Sequence, residues 1–398
     1  MPWLETSAMQ QRIEFVALAT QPGANVSALC RRFGVCRDTA YKWIARARQA
    51  GGDAWPAALA DRSRRPAASP RRSEAEVEQR VLAVRDEHPT WGGRKIRRRL
   101  QDLLLKGEAA GEAAGEAAAA PAASTVTAIL RRHGRLAKAG EAGGGGAYVR
   151  FERSAPNELW QMDFKGHFAT TLGGRCHALT TLDDHCRFNL ILAACDDERT
   201  ETVRAHLIAA FRRYGLPGAI LCDNGAPWGC GGVAHGLTPL ACWLIRLGIT
   251  VPHGRPYHPQ TQGKDERFHR TLAADVLAGR SFAALADCQA AFDRWREQYN
   301  CLRPHEALDL ATPASRYRPS PRPFPETLPP VEYRPGDDVR RVQAGGVVCY
   351  RGSELRVPDA LRGHPVAVRP AEAGPDGVIE VFFCRQRVAV VDLRAEDG

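Results

Sequence analysis

Three carboxylates in this chain sit where an acid could do chemistry: Asp163, Asp223 and Glu266. Asp163 interrupts Trp160-Gln-Met-Asp-Phe164, an otherwise apolar stretch that reads as a strand. A carboxylate inside a strand needs a partner or a metal ion, because burying an unpaired charge is costly. Asp223 ends the strand-like Ile220-Leu-Cys and is followed by Asn224-Gly225. Strand ends in α/β sheets are where ligand sites form. Glu266 lies in Gly263-Lys-Asp-Glu-Arg-Phe-His-Arg-Thr-Leu272, which opens a helix with Phe268, Leu272 and Val276 as its apolar stripe. Asp265 projects close to Leu272 on that helix and Glu266 lies off the stripe, which favours Glu266 as the working acid. Three oxygen donors without a supporting His or Cys set suit Mg²⁺ or Mn²⁺ rather than zinc. Two such ions can clamp the attacking and leaving oxygens of a phosphodiester. Taken singly, each acid reads more readily as a turn residue or a helix N-terminal charge. Only the combination points to phosphoryl transfer.

The elements that must position these acids lie in residues 155–280. Leu159–Phe164, His177–Leu182 and Phe188–Ala193 read as strands, Thr200–Tyr214 as a helix, and Ala219–Cys222 as a short buried strand. A helix at Thr238–Leu247 and an extended Ile249–Pro252 follow. This order predicts a mixed α/β sheet with helices on its faces. Phe282–Asn300 reads as a long helix. Beyond the Pro-rich Arg316–Pro330, residues 331–394 read as short strands, from which a small barrel is expected.

The charge is unevenly spread. Residues 1–150 hold 25 basic and 15 acidic residues and carry the whole net charge of +10. That asymmetry suggests a nucleic-acid-binding segment joined to a neutral one, although a merely soluble basic surface would look the same. Residues 9–48 read as a helix followed by a helix-turn-helix, with Gly34 in the turn and Cys36 at the next N-cap. Ala40, Trp43, Ile44 and Ala47 form its inner stripe, and Arg37, Thr39, Lys42 and Arg46 face outward, as a helix entering a major groove requires. The linker holds Arg62, Arg64 and Arg65, which can follow a phosphate backbone or serve a solvated tether. A second helical unit follows: a helix ending near His88-Pro89, another opened by Trp91-Gly-Gly-Arg-Lys-Ile96 with Arg94 and Lys95 on its polar face, and a third capped by Ser124. Three identical Gly-Glu-Ala-Ala copies over Gly107–Ala118 read as a tolerated insertion.

Composition bounds the remaining classes. With 398 residues, 44% hydrophobic and 25% charged, the chain has room for two or three domains and is neither collagen-like nor wholly disordered. There is no apolar run of about 18 residues, so no span is expected, and Met1–Gln21 carries charges that a secretory signal would not. A cytoplasmic location follows. The 12 cysteines show no C-x-x-C pair and no zinc spacing, and read as small buried hydrophobes. Arg outnumbers Lys 49 to 6, a mark of a GC-rich, bacterial source.

On its motifs the sequence resembles the bacterial insertion-sequence transposases with a retroviral-integrase-type catalytic core. The blocks are Trp160-Gln-Met-Asp163-Phe, Leu182-Asp-Asp-His-Cys-Arg-Phe188, Cys222-Asp223-Asn-Gly225, Tyr257-His-Pro-Gln-Thr-Gln-Gly-Lys-Asp-Glu266-Arg-Phe-His-Arg and Tyr299-Asn-Cys-Leu-Arg-Pro-His305. The N-terminal helix-turn-helix, the Asp61-Arg-Ser-Arg-Arg-Pro linker, the Trp91 block and the strand-rich C-terminus are similar to those of one subgroup. The resemblance implies helix-turn-helix DNA binding over residues 1–50, a basic linker over 51–73, and a second helical DNA-binding-type unit over 74–140. It further implies an α/β RNase H-like core with a mixed sheet over 155–318 and a small β-barrel-like domain over 331–398. It implies that Asp163, Asp223 and Glu266 ligate two Mg²⁺ or Mn²⁺ ions, and that His258, Lys264 and Arg267 lie near DNA phosphates, with Asn224 supporting Asp223. The implied partners are element terminal repeats and target DNA, bound by a homo-oligomer in the bacterial nucleoid, with no membrane and no small-molecule substrate.

The chain departs from the family pattern in a 42-residue gap between Asp223 and Glu266, in Cys186 where Ser is usual, and in the Gly-Glu-Ala-Ala insertion. The zinc-binding N-terminal module of retroviral integrases is absent from the sequence. Two other readings stay open: a non-catalytic DNA-binding regulator or decayed copy, and a different nuclease on the same fold, such as an RNA–DNA hybrid hydrolase.

Overall fold

The computed structural model describes residues 7–62, 72–107, 119–136, 152–223, 225, 227–228, 237–252, 263–371 and 377–394. The chain forms two compact units, residues 1–73 and 74–398.

The first unit is helical: α1 (Ala8–Ala19), α2 (Val26–Phe33), α3 (Arg37–Ala50) and the short α4 (Trp55–Ala58). Ser7 and Gln10 cap α1 reciprocally, each side chain accepting from the other's backbone N–H. Gly34 closes α2 at φ 66°, the left-handed conformation the turn needs. In α3 the expected stripe is the buried one: Ala40, Trp43, Ile44 and Ala47 pack with Phe15, Val16 and Leu59.

The second unit begins with α5 (Ala75–Glu87), α6 (Gly93–Leu105) and α7 (Ala123–Arg132), packed around Val81, Trp91, Ile96, Val126 and Leu130. Helix α7 is capped by Ala122, so Ser124 falls inside its first turn rather than capping it. At Gly93 a Cβ would lie 2.4 Å from Thr127 Oγ1 and 2.6 Å from the Ala123 carbonyl oxygen, so glycine sets the distance between α6 and α7.

A four-stranded sheet follows, built from β1 (Leu159–Ala169), β2 (Arg175–Asp183), β3 (Asn189–Cys195) and β4 (Ala219–Leu221) in the order β3-β2-β1-β4. The first three are antiparallel and β4 runs parallel to β1, as the sequence predicts for a mixed sheet. The extended segment after residue 248 contributes a single parallel bridge, Ala219 to Thr250. One face carries Trp160, Met162, Leu179, Ile191 and Ala193 against α8 (Thr200–Tyr214) and α9 (Pro239–Arg246). The other carries Cys176, Ala178, Leu182 and Leu192 against α10 (Gly263–Leu272) and α11 (Leu285–Glu297). Each helix of this second pair runs into a single π turn, Ala273–Leu277 and Gln298–Leu302. The helix expected over Phe282–Asn300 therefore starts three residues later and changes pitch before its end. The short α12 (Pro313–Arg316) follows.

The Pro-rich segment is pinned down. Arg322 donates to the carbonyls of Pro217 and Leu247, and Arg212 pairs with Glu326 through two bonds. Beyond it lie β5 (Asp338–Arg341), β6 (Val347–Tyr350), β7 (Ser353–Arg356), β8 (Pro365–Pro370), β9 (Val378–Phe383) and β10 (Gln386–Asp392). They do not close into the expected barrel. β10-β9-β8-β5 is an open sheet and β6-β7 a separate hairpin. The physical reason is that the apolar face of these strands joins one core with α9: Val348, Leu361, Val366 and Phe383 belong to the same cluster as Trp243 and Leu244. A sheet covered by a neighbouring layer need not curl on itself to bury that face.

Candidate active site

Asp163 and Asp223 are brought together by strand register. β1 and β4 are parallel with Leu159 opposite Ala219, Trp160 opposite Ile220 and Gln161 opposite Leu221. The two acids follow at the same offset, where the short β4 has ended. Burial, and then the negative charge of Asp223, push the Asp163 carboxyl up to about 7. Gly225 N–H donates to Asp223 Oδ1 at 3.1 Å, closing the turn after β4.

Helix α10 crosses β1 at this level. His269 Nδ1 lies 3.9 Å from Asp163 Oδ2, and its Nε2 meets Thr180 Oγ1 at 2.8 Å, with Thr180 Oγ1 in turn 2.9 Å from the Asp163 carbonyl oxygen. Burial and the charge of Lys165 hold His269 down to about 4, so it is neutral. Asp265, one helical turn before His269, is also buried, and its carboxyl is held well above its ordinary value by burial and by Asp163 and Asp184. Among the described residues its Oδ1 has no hydrogen-bond partner. Glu266, next in sequence, is rotated about 100° around the helix and is exposed. The wheel thus places Asp265 inward and Glu266 outward as expected. Among the described residues, no three His, Cys, Asp or Glu side chains come close enough to hold a metal ion together. The structure therefore brings Asp163 and Asp223 near each other and leaves Glu266 exposed on α10.

The motif residues around the acids build the frame. Asp184, fully buried, accepts from Gln161 Nε2 at 2.6 Å, from Arg153 N–H at 2.8 Å, and from Lys264 Nζ. Lys264 is thus engaged at the base of α10 rather than held out for a phosphate. Asp183 accepts from the N–H groups of Asn157 and Cys186 and from the Cys186 thiol at 3.0 Å. Asn300 clasps the backbone of Asn189 through both its amide atoms. Tyr299 packs edge-on to Phe268 at 5.0 Å. Arg303 pairs with Asp275 at 2.7 Å, and Trp295 Nε1 donates to the same oxygen. The Tyr299–His305 block thereby fixes α10 against the sheet. The acids Asp183, Asp184 and Asp275 carry this framework and were not singled out as site residues. The paired Asp in Leu182-Asp-Asp-His was the available signal.

The expected DNA-contacting residues are spread over both units. In the first, Arg37 is exposed and donates to Ser27, Thr39 contacts the Cys36 thiol, and Lys42 lies 5.5 Å over Trp43. Arg46 stacks on the same ring at 4.7 Å and is half-buried. Arg62 is exposed. In the second unit Arg94 and Arg267 are exposed. Lys95 turns toward Arg303, Glu306 and Asp275, and burial together with Arg303 lowers it to about 8. Arg64, Arg65, Asn224, His258 and the Gly-Glu-Ala-Ala copies after Gly107 lie outside the described residues.

Family models described as integrase core domain match residues 153–259 and 247–313. An IS481 family transposase C-terminal domain matches 337–398, and two homeodomain-like models match 6–55 and 39–113. The chain resembles insertion-element transposases with a retroviral-integrase-type core. It is 28% identical over 160 residues to an uncharacterized 31.7 kDa protein of insertion element IS407 from Burkholderia multivorans, covering 40% of this chain and 55% of that protein. It is 23% identical over 256 residues to a putative transposase of element IS5376 from Geobacillus stearothermophilus, covering 61% of each. The chain spans about half the length of the first curated relatives it matches. Among solved structures, the catalytic core of BIV integrase is 22% identical, covers 40% of this chain and 92% of its own, and has a TM-score of 0.30. The HTLV-2 integrase catalytic core in complex with magnesium is 14% identical with a TM-score of 0.32, covering 42% of this chain and 99% of its own. At such scores the likeness carries no argument; the integrase-type reading stands on the family models and the motif blocks.

Proposed function

We propose that this chain is a bacterial DNA transposase that nicks the ends of its element and joins the freed 3′-hydroxyl to target DNA. The observation that carries the reading is the approach of Asp163, within β1, to Asp223, just past the end of the parallel neighbour β4, where the charge of Asp223 disfavours ionisation of Asp163. Two facing carboxylates whose charges oppose each other form a donor set that a hard divalent cation neutralises. Asp163, Asp223 and Glu266 would hold two Mg²⁺ or Mn²⁺ ions, which when bound supply charge neutralisation and alignment of the phosphodiester oxygens.

The chain's own residues do the rest. Lys264, seated on Asp184, fixes the first turn of α10 and with it the position of Glu266. His269, neutral and tied to Thr180, packs beside Asp163 without adding positive charge. In nicking, a water oxygen forms the new P–O bond and the 3′-oxygen leaves as a hydroxyl. In joining, that 3′-hydroxyl attacks a target phosphodiester and a target 3′-oxygen leaves. The helix-turn-helix, through Arg37 and Lys42, would read the terminal repeat, and a homo-oligomer would hold two ends in the cytoplasm of a bacterial host.

The test is strand transfer by the purified full chain with Mn²⁺ or Mg²⁺ and labelled DNA bearing the flanking terminal repeats, with Asp163→Asn, Asp223→Asn and Glu266→Gln alongside. Joined products lost in all three variants support the assignment. Full activity in any of them removes that residue from the set. A second reading, a regulator or decayed copy, rests on the exposed Glu266, and it gains if the wild type binds the ends and yields no product.

A further inference from the structure

Strand β1 does not run straight past the acids. Phe164 is opposite Leu179 and His167 opposite His177, so Lys165 and Gly166 together face Ala178. This is a bulge, with Gly166 at φ 79°, and bulges re-aim the side chains that follow them. Beneath it lies a cavity of about 220 Å³. Its far wall is the turn between the first π segment and α11. The two walls are joined by main-chain bonds, Thr171 N–H to Phe282 O at 2.9 Å and Leu172 N–H to Ala283 O at 3.1 Å, so the opening is built into the fold. The floor is Phe168, Leu277 and Phe282, with the two rings 5.9 Å apart. The rim is Lys165, His167 and Arg280, and no acidic residue lines the cavity among the described residues.

An aromatic floor under a cationic rim fits one class of ligand. Flat bases stack on aromatic rings whatever their sequence, while Lys and Arg hold the phosphates on either side. The volume is below that of a drug-sized site, ~300–1,000 Å³, and suits one ring system. The position is equally particular: Asp163 and Lys165 are two residues apart on the same strand, and His269 Nδ1 lies 3.9 Å from Asp163 Oδ2.

We propose that this cavity is a nucleotide pocket, taking one unpaired base of the bound DNA strand over Phe168 and Phe282 with its flanking phosphates on Lys165 and Arg280. The proposal rests on the reading that Asp163 lies at the reacting phosphodiester. It gives the protein a place to park a base unstacked next to the cut, so frayed or mismatched ends would enter more readily than fully paired ones.

The test uses the full chain and a labelled five-nucleotide oligothymidine without divalent metal, titrated by fluorescence anisotropy between about 50 and 200 mM salt. The same oligonucleotide carrying 5-iodouracil is photo-crosslinked and the attached peptide mapped. The expected result is a crosslink on the peptides holding Phe168 or Phe282. Lys165→Ala with Arg280→Ala should lower the salt slope by about 1.4, at roughly 0.7 per single-strand phosphate contact. Phe168→Ala should weaken binding about 10-fold. Crosslinks only in other regions, with slope and affinity unchanged in the Arg280→Ala variant, would overturn it. Arg280 is exposed, so this variant folds even if Phe168→Ala does not. The assay needs neither metal nor terminal repeats, so pocket binding can succeed where strand transfer fails, and the reverse.

Discussion

Thr90 Oγ1 donates a 2.6 Å hydrogen bond to Asp275 Oδ1, joining residues 185 positions apart. Asp275 is the meeting point of three segments: Thr90 precedes α6, Trp295 lies on α11, and Arg303 belongs to the block after it. Arg303 and Asp275 are nearly excluded from water, at 8% and 12% side-chain exposure. Removing one member of such a pair strands the other, at a cost of about 3–5 kcal/mol. Asp275→Ala should therefore lower the urea midpoint far more than Thr90→Ala, which loses one exposed bond of about 1 kcal/mol. Equal effects would mean that Arg303 finds another partner.

The raised Asp163 carboxyl makes stability depend on pH in a defined direction. Its value of about 7 lies above the ordinary 3.8, so between these values the folded chain keeps a proton that the unfolded chain has released. Stability from this group is thus highest below about pH 4 and declines as pH rises to about 7. The upper limit is about 4 kcal/mol at about 1.4 kcal/mol per unit, and solvent screening of the 27% exposed side chain trims it to about 2. Asp163→Asn should melt above the wild type at pH 8, with the gap closing near pH 4. Mn²⁺ should raise the wild-type melting temperature at pH 8 and leave the variant nearly unmoved. A gap that does not change with pH would mean that Asp163 ionises normally.

The sequence revealed the strands, the helix-turn-helix stripe and the inward turn of Asp265, because each follows from a local period of two or 3.6 residues. It did not reveal what depends on long-range contacts. The barrel expectation failed because Val348 and Phe383 found their cover on α9, which no strand pattern encodes. The bond from Lys264 to Asp184 was invisible in the sequence because the two lie 80 residues apart. The stacking of Arg46 on Trp43, three positions earlier on the edge of the buried stripe, was likewise not legible from the outward-face pattern. The pairing of Asp163 with Asp223 was visible only as two strand-borne acids, and became a site through parallel register.

Gly93 predicts a packing defect at the second helical unit. A Cβ there meets Thr127 Oγ1 at 2.4 Å and backbone at 2.6 Å, and the backbone cannot swing aside as a side chain can. Gly93→Ala should push α6 from α7 and cost about 1–3 kcal/mol. Gly93→Ala combined with Thr127→Ala removes one clash and leaves the Ala123 carbonyl in place, so it should recover only part of the loss. Wild-type stability in Gly93→Ala would show that α7 shifts freely.

The neighbouring carboxylates of α10 are separable by experiment. Glu266 is exposed, whereas Asp265 is buried with one oxygen unpartnered among the described residues, and burial and Asp163 push its carboxyl well above its ordinary value. Burial disfavours a charge at this position and a neutral amide of the same shape carries none, so Asp265→Asn should fold with equal or greater stability and keep strand transfer within a few-fold. Glu266→Gln should fold normally and lose joined products by 100-fold or more, a loss of about 3 kcal/mol in transition-state stabilisation. Measured side by side on one terminal-repeat substrate, the two variants discriminate cleanly. Activity kept in Glu266→Gln and lost in Asp265→Asn would move the third acid one residue inward, to the side chain that already faces Asp163.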